Sequence, residues 1–283
     1  MEHFALGHWL LVLAYLTSVV GCALGLACAV QARHAAEPRH RVRWLVLAAV
    51  SIGGVGIWLM HFVAMLGFST PGMPVRYDIF RTVLSAVLSV TAVFAGLLVV
   101  GGRAKFGWGR LALGGVITGL AVNLMHYTGM SALRVKGDFG YDGGLVVLSV
   151  VIAVAAATAA LWFAVFLDRF SLRLLAGFVM GAAVTGMHYT GMAAVRMTMD
   201  PNAPDPAGAE VFSFLFPVFV LAAIAMAVPL CAVLMAPAVS PKVGEPAGAI
   251  TSPPYRLHSS EHAFADDQSV VDGGVPGGTF TGT

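Results

Sequence analysis

Seven stretches of the chain are apolar for more than twenty residues and are separated by short segments rich in charge, Pro or Gly: roughly 8 to 30, 44 to 67, 79 to 101, 111 to 133, 144 to 167, 174 to 195 and 212 to 236. A spanning helix needs about 20 predominantly apolar residues. Within lipid, only helices and closed barrels satisfy their own backbone groups. The pattern predicts an all-α polytopic membrane protein with seven transmembrane helices. The segments 31 to 43, 102 to 110 and 168 to 173, together with Lys242 and Arg256 of the tail, hold eleven of the sixteen Lys and Arg residues. By the positive-inside rule these segments are cytoplasmic, which puts the N-terminus outside and the C-terminus inside.

Composition agrees: 58% of residues are hydrophobic and 11% charged, with a mean hydropathy of +0.85, whereas soluble domains carry about 25% charge. A net charge of +2 offers no electrostatic case for nucleic acid. Cys22, Cys28 and Cys231 all fall in apolar runs and form no CxxC motif, so they are expected to be small packing residues. The first apolar run is too long for a signal-peptide core and its basic cluster follows it, so it is expected to be retained as a span. Beyond Val239 the chain turns to Pro, Gly, Ser and Asp. The expected organisation is a membrane domain over 1–239 and a disordered cytoplasmic tail over 240–283.

The spans repeat. Met60-His61-Phe62-Val63-Ala64-Met65 ends the second, Met125-His126-Tyr127-Thr128-Gly129-Met130 the fourth, and Met187-His188-Tyr189-Thr190-Gly191-Met192 the sixth. The histidines are 65 and 62 residues apart, one helix pair each time. The chain therefore reads as three two-helix repeats plus one further helix, related about an axis along the membrane normal. At about 1.5 Å per residue, all three histidines lie roughly 20 to 26 Å up a core of about 30 Å, in the outer leaflet. With 13 Met in 283 residues, Met at both −1 and +4 of a given His arises by chance with a probability of about 0.002.

On a helix, residues i and i+4 share a face, so His61 with Met65, His126 with Met130, and His188 with Met192 each present an imidazole and a thioether in one direction. Met60, Met125 and Met187 lie about 100° round and can supply a second layer. Thioether suits copper, above all Cu(I), and imidazole suits copper as well, whereas zinc rarely takes methionine. Copper is the expected cofactor. Tyr127, Thr128, Tyr189 and Thr190 are candidate donors for orienting the imidazoles, although Phe62 and Val63 deprive the first copy of both hydroxyls. Asn123 reads as helix–helix glue before it reads as a ligand. Asp78 reads first as a helix cap and second as a partner of a ligand imidazole. Gly129, Gly191 and Ala64 read as points of close helix approach. Met73, Met197 and Met199 are external methionines that either feed a copper site or are incidental to it.

These strings resemble the bacterial MHYT family, named for the Met-His-Tyr-Thr sequence present at 125 to 128 and 187 to 190. The resemblance covers about residues 5 to 237. It implies an integral membrane sensor of the bacterial plasma membrane, binding copper through Met60, His61, Met65, Met125, His126, Met130, Met187, His188 and Met192 and sensing a diatomic gas such as oxygen, carbon monoxide or nitric oxide. Members often join this domain to a cyclic-di-GMP synthase or phosphodiesterase or to a histidine kinase. Nothing of that kind follows residue 240, so output is expected through a cytoplasmic partner in trans, and the chain is not expected to be an enzyme. Copper transport and a haem-binding electron-transfer protein are the competing functions; the first calls for ligands at several depths, and the second leaves the Met at +4 unexplained.

Overall fold

The computed structural model describes residues 9–67, 75–101, 107–200 and 203–236. Seven helices are long and apolar enough to cross a membrane: α1 (Trp9–His34), α2 (Pro38–Met65), α3 (Ile79–Val100), α4 (Trp108–Ser131), α5 (Gly143–Phe166), α6 (Phe170–Ala193) and α7 (Val211–Met235). The helices α1 to α6 form a closed ring in chain order, with α6 returning to α1, and α7 lies against α1 and α2. The histidine-bearing helices α2, α4 and α6 therefore alternate with α1, α3 and α5.

Lipid gives helices no hydrophobic reason to associate, so close packing of small residues must hold the ring. Gly21 of α1 meets the backbone of Gly56 on α2, Gly53 of α2 meets Ser89 and Val90 on α3, Gly119 of α4 meets Val154 on α5, and Gly177 and Gly181 of α6 meet Ala23 and Val19 on α1. Buried hydroxyls reinforce two of these crossings. Ser18 donates to the Gly56 carbonyl at 2.7 Å and Ser89 to the Gly53 carbonyl at 2.7 Å.

The helices overshoot their apolar runs. The expected loop at 31 to 43 shrinks to residues 35–37, and Arg39, Arg41 and Arg43 sit on the first turns of α2, which starts at Pro38. Proline suits a first helical turn, and arginines there reach solvent along their own stems. Within α2 the stretch Val50–Leu59 is wound as π-helix, which the apolar pattern does not signal. It contains Gly53, Gly54 and Gly56, the glycines closest to α1 and α3, and π-turns recur at functional sites. Cys22 and Cys28 are buried, as packing residues should be, but Cys231, on α7, is exposed.

At the end of the bundle where the histidine helices terminate, the connections form short antiparallel ladders. Strand β1 (Arg76–Tyr77) pairs with β2 (Leu133–Arg134) and β5 (Ala209–Glu210), and β3 (Gly137–Tyr141) pairs with β4 (Val195–Met199). At the opposite, basic end Arg33 donates to the Val165 and Leu167 carbonyls and pairs with Asp168 at 2.6 Å. His8, Met73 and the tail from 240 lie outside the described residues.

Candidate metal centre

His61, His126 and His188 lie four to five residues from the ends of α2, α4 and α6. Each is at most 1% exposed. Periodicity places them at one depth; ring closure turns all three toward the axis. The Nδ1 atoms of His61 and His188 are 3.0 Å apart and those of His126 and His61 3.3 Å apart. The three rings stand edge to face, with centroids 4.9 to 5.1 Å apart and planes at 81 to 88°, a propeller around the bundle axis. One ligand nitrogen from each ring lies within 4.8 Å of the others. Three nitrogens held about 2.0 Å from one ion stand about 3.5 Å apart in a trigonal set, so small ring movements accommodate a metal.

Two of the imidazoles face small residues of the next repeat. The outer edge of the His61 ring, at Nε2, lies against Gly129 on α4, and that of His126 against Gly191 on α6. Each glycine is three residues beyond its own histidine. The close approach expected of these positions is thus an approach of an imidazole to a backbone, and the sequence does not say which ring arrives. Both Nε2 atoms are buried without a hydrogen-bond partner.

Methionine and aliphatic layers bracket the triad. Met65, Met130 and Met192, one turn nearer the helix ends on the same faces, are 1%, 0% and 5% exposed, and Met60, Met125 and Met187 are 1%, 0% and 2% exposed. All six expected sulfur ligands are thus inside the protein. One turn toward the basic end, Ile57, Val122 and Val184 surround a common cavity.

Comparison with known proteins follows the same repeat. The profile described as the MHYT bacterial signalling protein N-terminal repeat matches residues 54–114 and 119–177. The chain carries MHYT repeats. It is 45% identical over 170 residues to the bifunctional diguanylate cyclase/cyclic di-GMP phosphodiesterase MucR of Pseudomonas aeruginosa, covering 58% of this chain and 24% of that protein. It is 37% identical over 171 residues to the cyclic di-GMP phosphodiesterase NbdA of the same organism, covering 58% and 22%. With the signaling protein YkoW of Bacillus subtilis the identity is 35% over 184 residues, covering 62% and 22%. The chain thus spans about a quarter of the length of these relatives. No solved structure matches. Membrane sensing and signalling is the role of this family. His188 falls outside both matched segments; geometry makes it the third equivalent.

The polar residues of the MHYT strings mostly bond elsewhere than to the triad. Tyr127 Oη shares a hydrogen bond with Ser149 Oγ at 3.1 Å, Asn123 Nδ2 donates to the same Oγ at 3.0 Å, and Ser149 donates to the Val146 carbonyl. The Tyr127 and Tyr189 rings pack edge to face on their neighbouring histidines at 4.9 and 5.1 Å. Thr190 Oγ1 donates back to the Gly186 carbonyl, and Thr128 is half-buried. Ser149 was not foreseen, but a repeat signal existed. Trp58 and Asn123 each precede a histidine by three residues, and they donate to Ser85 and Ser149, each seven residues after an N-cap aspartate. In the third repeat Thr185 takes the first position and Pro217 the second, and Thr185 Oγ1 is buried without a partner.

Asp78 caps α3 by accepting from the Arg81 N–H at 3.1 Å and pairs with Arg134 at 2.8 Å, which directs it to the ladders and away from an imidazole. Asp142 caps α5 and pairs with Arg196 at 2.6 Å, and Glu210 pairs with Arg76 at 2.6 Å. Each latch ties the connection after one histidine helix to the start of a returning helix. Arg134 holds the Asp78 carboxyl below the usual carboxylate range, and Arg196 does the same for Asp142. A depressed carboxyl stabilises the fold above its unfolded pKa and loses that contribution as pH falls through the folded value. Thermal unfolding in detergent should therefore be flat from pH 7 to about 5 and decline below about 4. In an Asp78→Asn/Asp142→Asn variant, which keeps the caps, stability should already be lower at pH 7 and the acid slope shallower.

Proposed function

We propose that the triad holds copper, with sulfur from the flanking methionines, and that this MHYT protein is a membrane sensor whose metal centre responds to a diatomic gas and whose output passes to a separate cytoplasmic partner. The observation that carries the reading is the convergence of three buried imidazole nitrogens on the bundle axis at 3.0 and 3.3 Å. Among the described residues the triad is the one group of His, Cys, Asp or Glu side chains gathered closely enough to hold an ion. Imidazole and thioether are both neutral, and a buried charge is costly unless compensated. A monovalent soft ion is therefore the best match, and Cu(I) fits the donor set better than a divalent metal. Bound there, copper supplies a redox-active centre that takes small neutral ligands; the protein supplies orientation, through the glycine seats, and exclusion of water.

The basic end is the cytoplasmic one in this reading, and the membrane is the bacterial plasma membrane. Transport fits less well, because next to the triad Ile57, Val122 and Val184 offer no donor and only the α6 thioethers of Met180 and Met187 remain, too few to pass a metal onward. A haem between paired histidines fits less well too, since ring centroids 4.9 to 5.1 Å apart leave no room for a porphyrin.

Metal analysis of detergent-purified protein expressed with copper tests the proposal. Wild type should carry stoichiometric copper and a His61→Ala/His126→Ala/His188→Ala variant none. Equal trace copper in both, with the variant still folded, would reduce the histidines to packing residues.

A further inference from the structure

Beneath the triad the axis of the bundle is hollow. A cavity of about 40 Å³ is walled by Ile57, Val122 and Val184, each four residues before one of the histidines, by Met180 and Met187 of α6, and by Ala157 of α5. A single hydroxyl reaches it, that of Thr118, which is spent on the Ala92 carbonyl at 3.4 Å. The space exceeds the roughly 10–15 Å³ that a water needs, but a buried water also needs two to four polar partners, and apolar cavities without them stay dry. What suits the space is an uncharged, apolar solute of two or three heavy atoms.

The two directions of approach differ in kind. From the histidine end the path crosses the buried Met65, Met130 and Met192, then the ladders and the Asp78–Arg134, Asp142–Arg196 and Arg76–Glu210 latches. From the side, the α5 wall consists largely of alanine methyls at positions 153, 156, 157 and 160, and α5 is the helix whose remaining faces are most open to lipid after α7. Apolar gases concentrate in the bilayer for the same reason that they leave water.

We propose that this cavity is a dry binding chamber for small apolar solutes, filled from the bilayer past the alanine wall of α5, and that it delivers them to the inner face of the histidine triad. As the antechamber of a gas-binding centre it rests on the metal reading above; as a site for an apolar atom it does not. The chamber selects by charge and size before any chemistry at the triad, because a hard ion or a hydrated molecule entering it loses its water and gains no free oxygen or nitrogen partner.

Xenon, a monatomic apolar probe, tests this on the full chain in lipid nanodiscs, read by methionine methyl NMR. The Met180 and Met187 methyl signals should shift with xenon pressure and saturate. Those of Met226 and Met235, which are 38% and 87% exposed, should drift without saturation. Ala157→Val should abolish the saturable shift while leaving copper content unchanged, and Val184→Ile serves the same purpose with a smaller added volume should the first variant fail to fold. Linear drift at Met180 and Met187, matching Met235, would overturn the chamber. Saturable xenon binding in a protein that takes no copper would leave the chamber standing and remove the metal reading; stoichiometric copper with no saturable xenon would do the reverse.

Discussion

Replacing Gly191 with alanine should strip the triad of the copper proposed for it. A Cβ at that position lands on the His126 ring, with Cδ2 at 2.8 Å and Nε2 nearer still, and a Cβ at Gly129 lands 2.5 Å from His61 Nε2. Neither ring has a free direction in which to retreat. His61 is in edge contact with His126, His188 and Phe62, and His126 with His61, His188 and Tyr127. One methyl group thus pushes an imidazole into the other two and spoils the common focus of the nitrogens. Overpacking of this kind costs about 1–3 kcal/mol of stability. The larger effect is on the proposed copper, whose retention should fall about tenfold or more in Gly191→Ala and in Gly129→Ala. Copper content and thermal unfolding measured side by side check both parts. Gly186→Ala is the internal control on the same helix, because nothing lies within 4 Å of a Cβ there; helix propensity makes that change neutral or stabilising by up to about 1 kcal/mol. Copper retained at the wild-type level in Gly191→Ala would show that the triad does not need this seat.

A large loss of stability is expected from Gly119→Ala, far from the triad. Its Cβ would meet Val154 Cα at 2.5 Å, Val154 N at 2.7 Å and the Ala153 carbonyl carbon at 2.9 Å. These are backbone atoms, so no rotamer change relieves the overlap, and α4 must separate from α5. Without a hydrophobic force drawing helices together in lipid, close contact at such points is what holds the ring. The cost should reach or exceed the upper end of about 1–3 kcal/mol, seen as a lower unfolding temperature in detergent. The molecules that remain folded should still bind copper stoichiometrically, since the triad is not touched. That pattern, stability lost with copper retained, is the opposite of the Gly191→Ala pattern. Finding the two variants alike would mean that the triad and the helix crossings are not separable.

The two glycines look the same in the sequence, and that shows where its legibility ends. Both sit on histidine-bearing helices at repeating offsets: Gly129 and Gly191 three residues after the histidine, Gly119 and Gly181 seven before it. The repeat says that each position matters three times over or nearly so. It does not say whether the neighbour is an imidazole or a backbone. The hydroxyl and amide side chains of the strings show the same limit. Their types marked them as polar groups needing partners, and for Tyr127 and Asn123 the partner is Ser149 on α5, while Asp78 turns to Arg134 across the ladders. The three-residue turn between α1 and α2 and the π-helical stretch of α2 were beyond a count of apolar residues, which registers neither a helix that extends past its apolar run at Pro38 nor a change in helical winding.

By itself the sequence determined what is local to a single helix. Seven runs long enough to cross a bilayer, three histidines one helix pair apart, and methionines at −1 and +4 all follow from hydropathy and a period of 3.6 residues, and they suffice to pick out the MHYT repeats. Tertiary structure alone decided how those helices are turned about their own axes. Azimuth is set where glycines of one segment meet the backbone of another far away in the chain, and no single-helix period encodes it. From that rotation come the focus of three imidazole nitrogens at 3.0 and 3.3 Å, the glycine seats behind two of the rings, and the dry space beneath them.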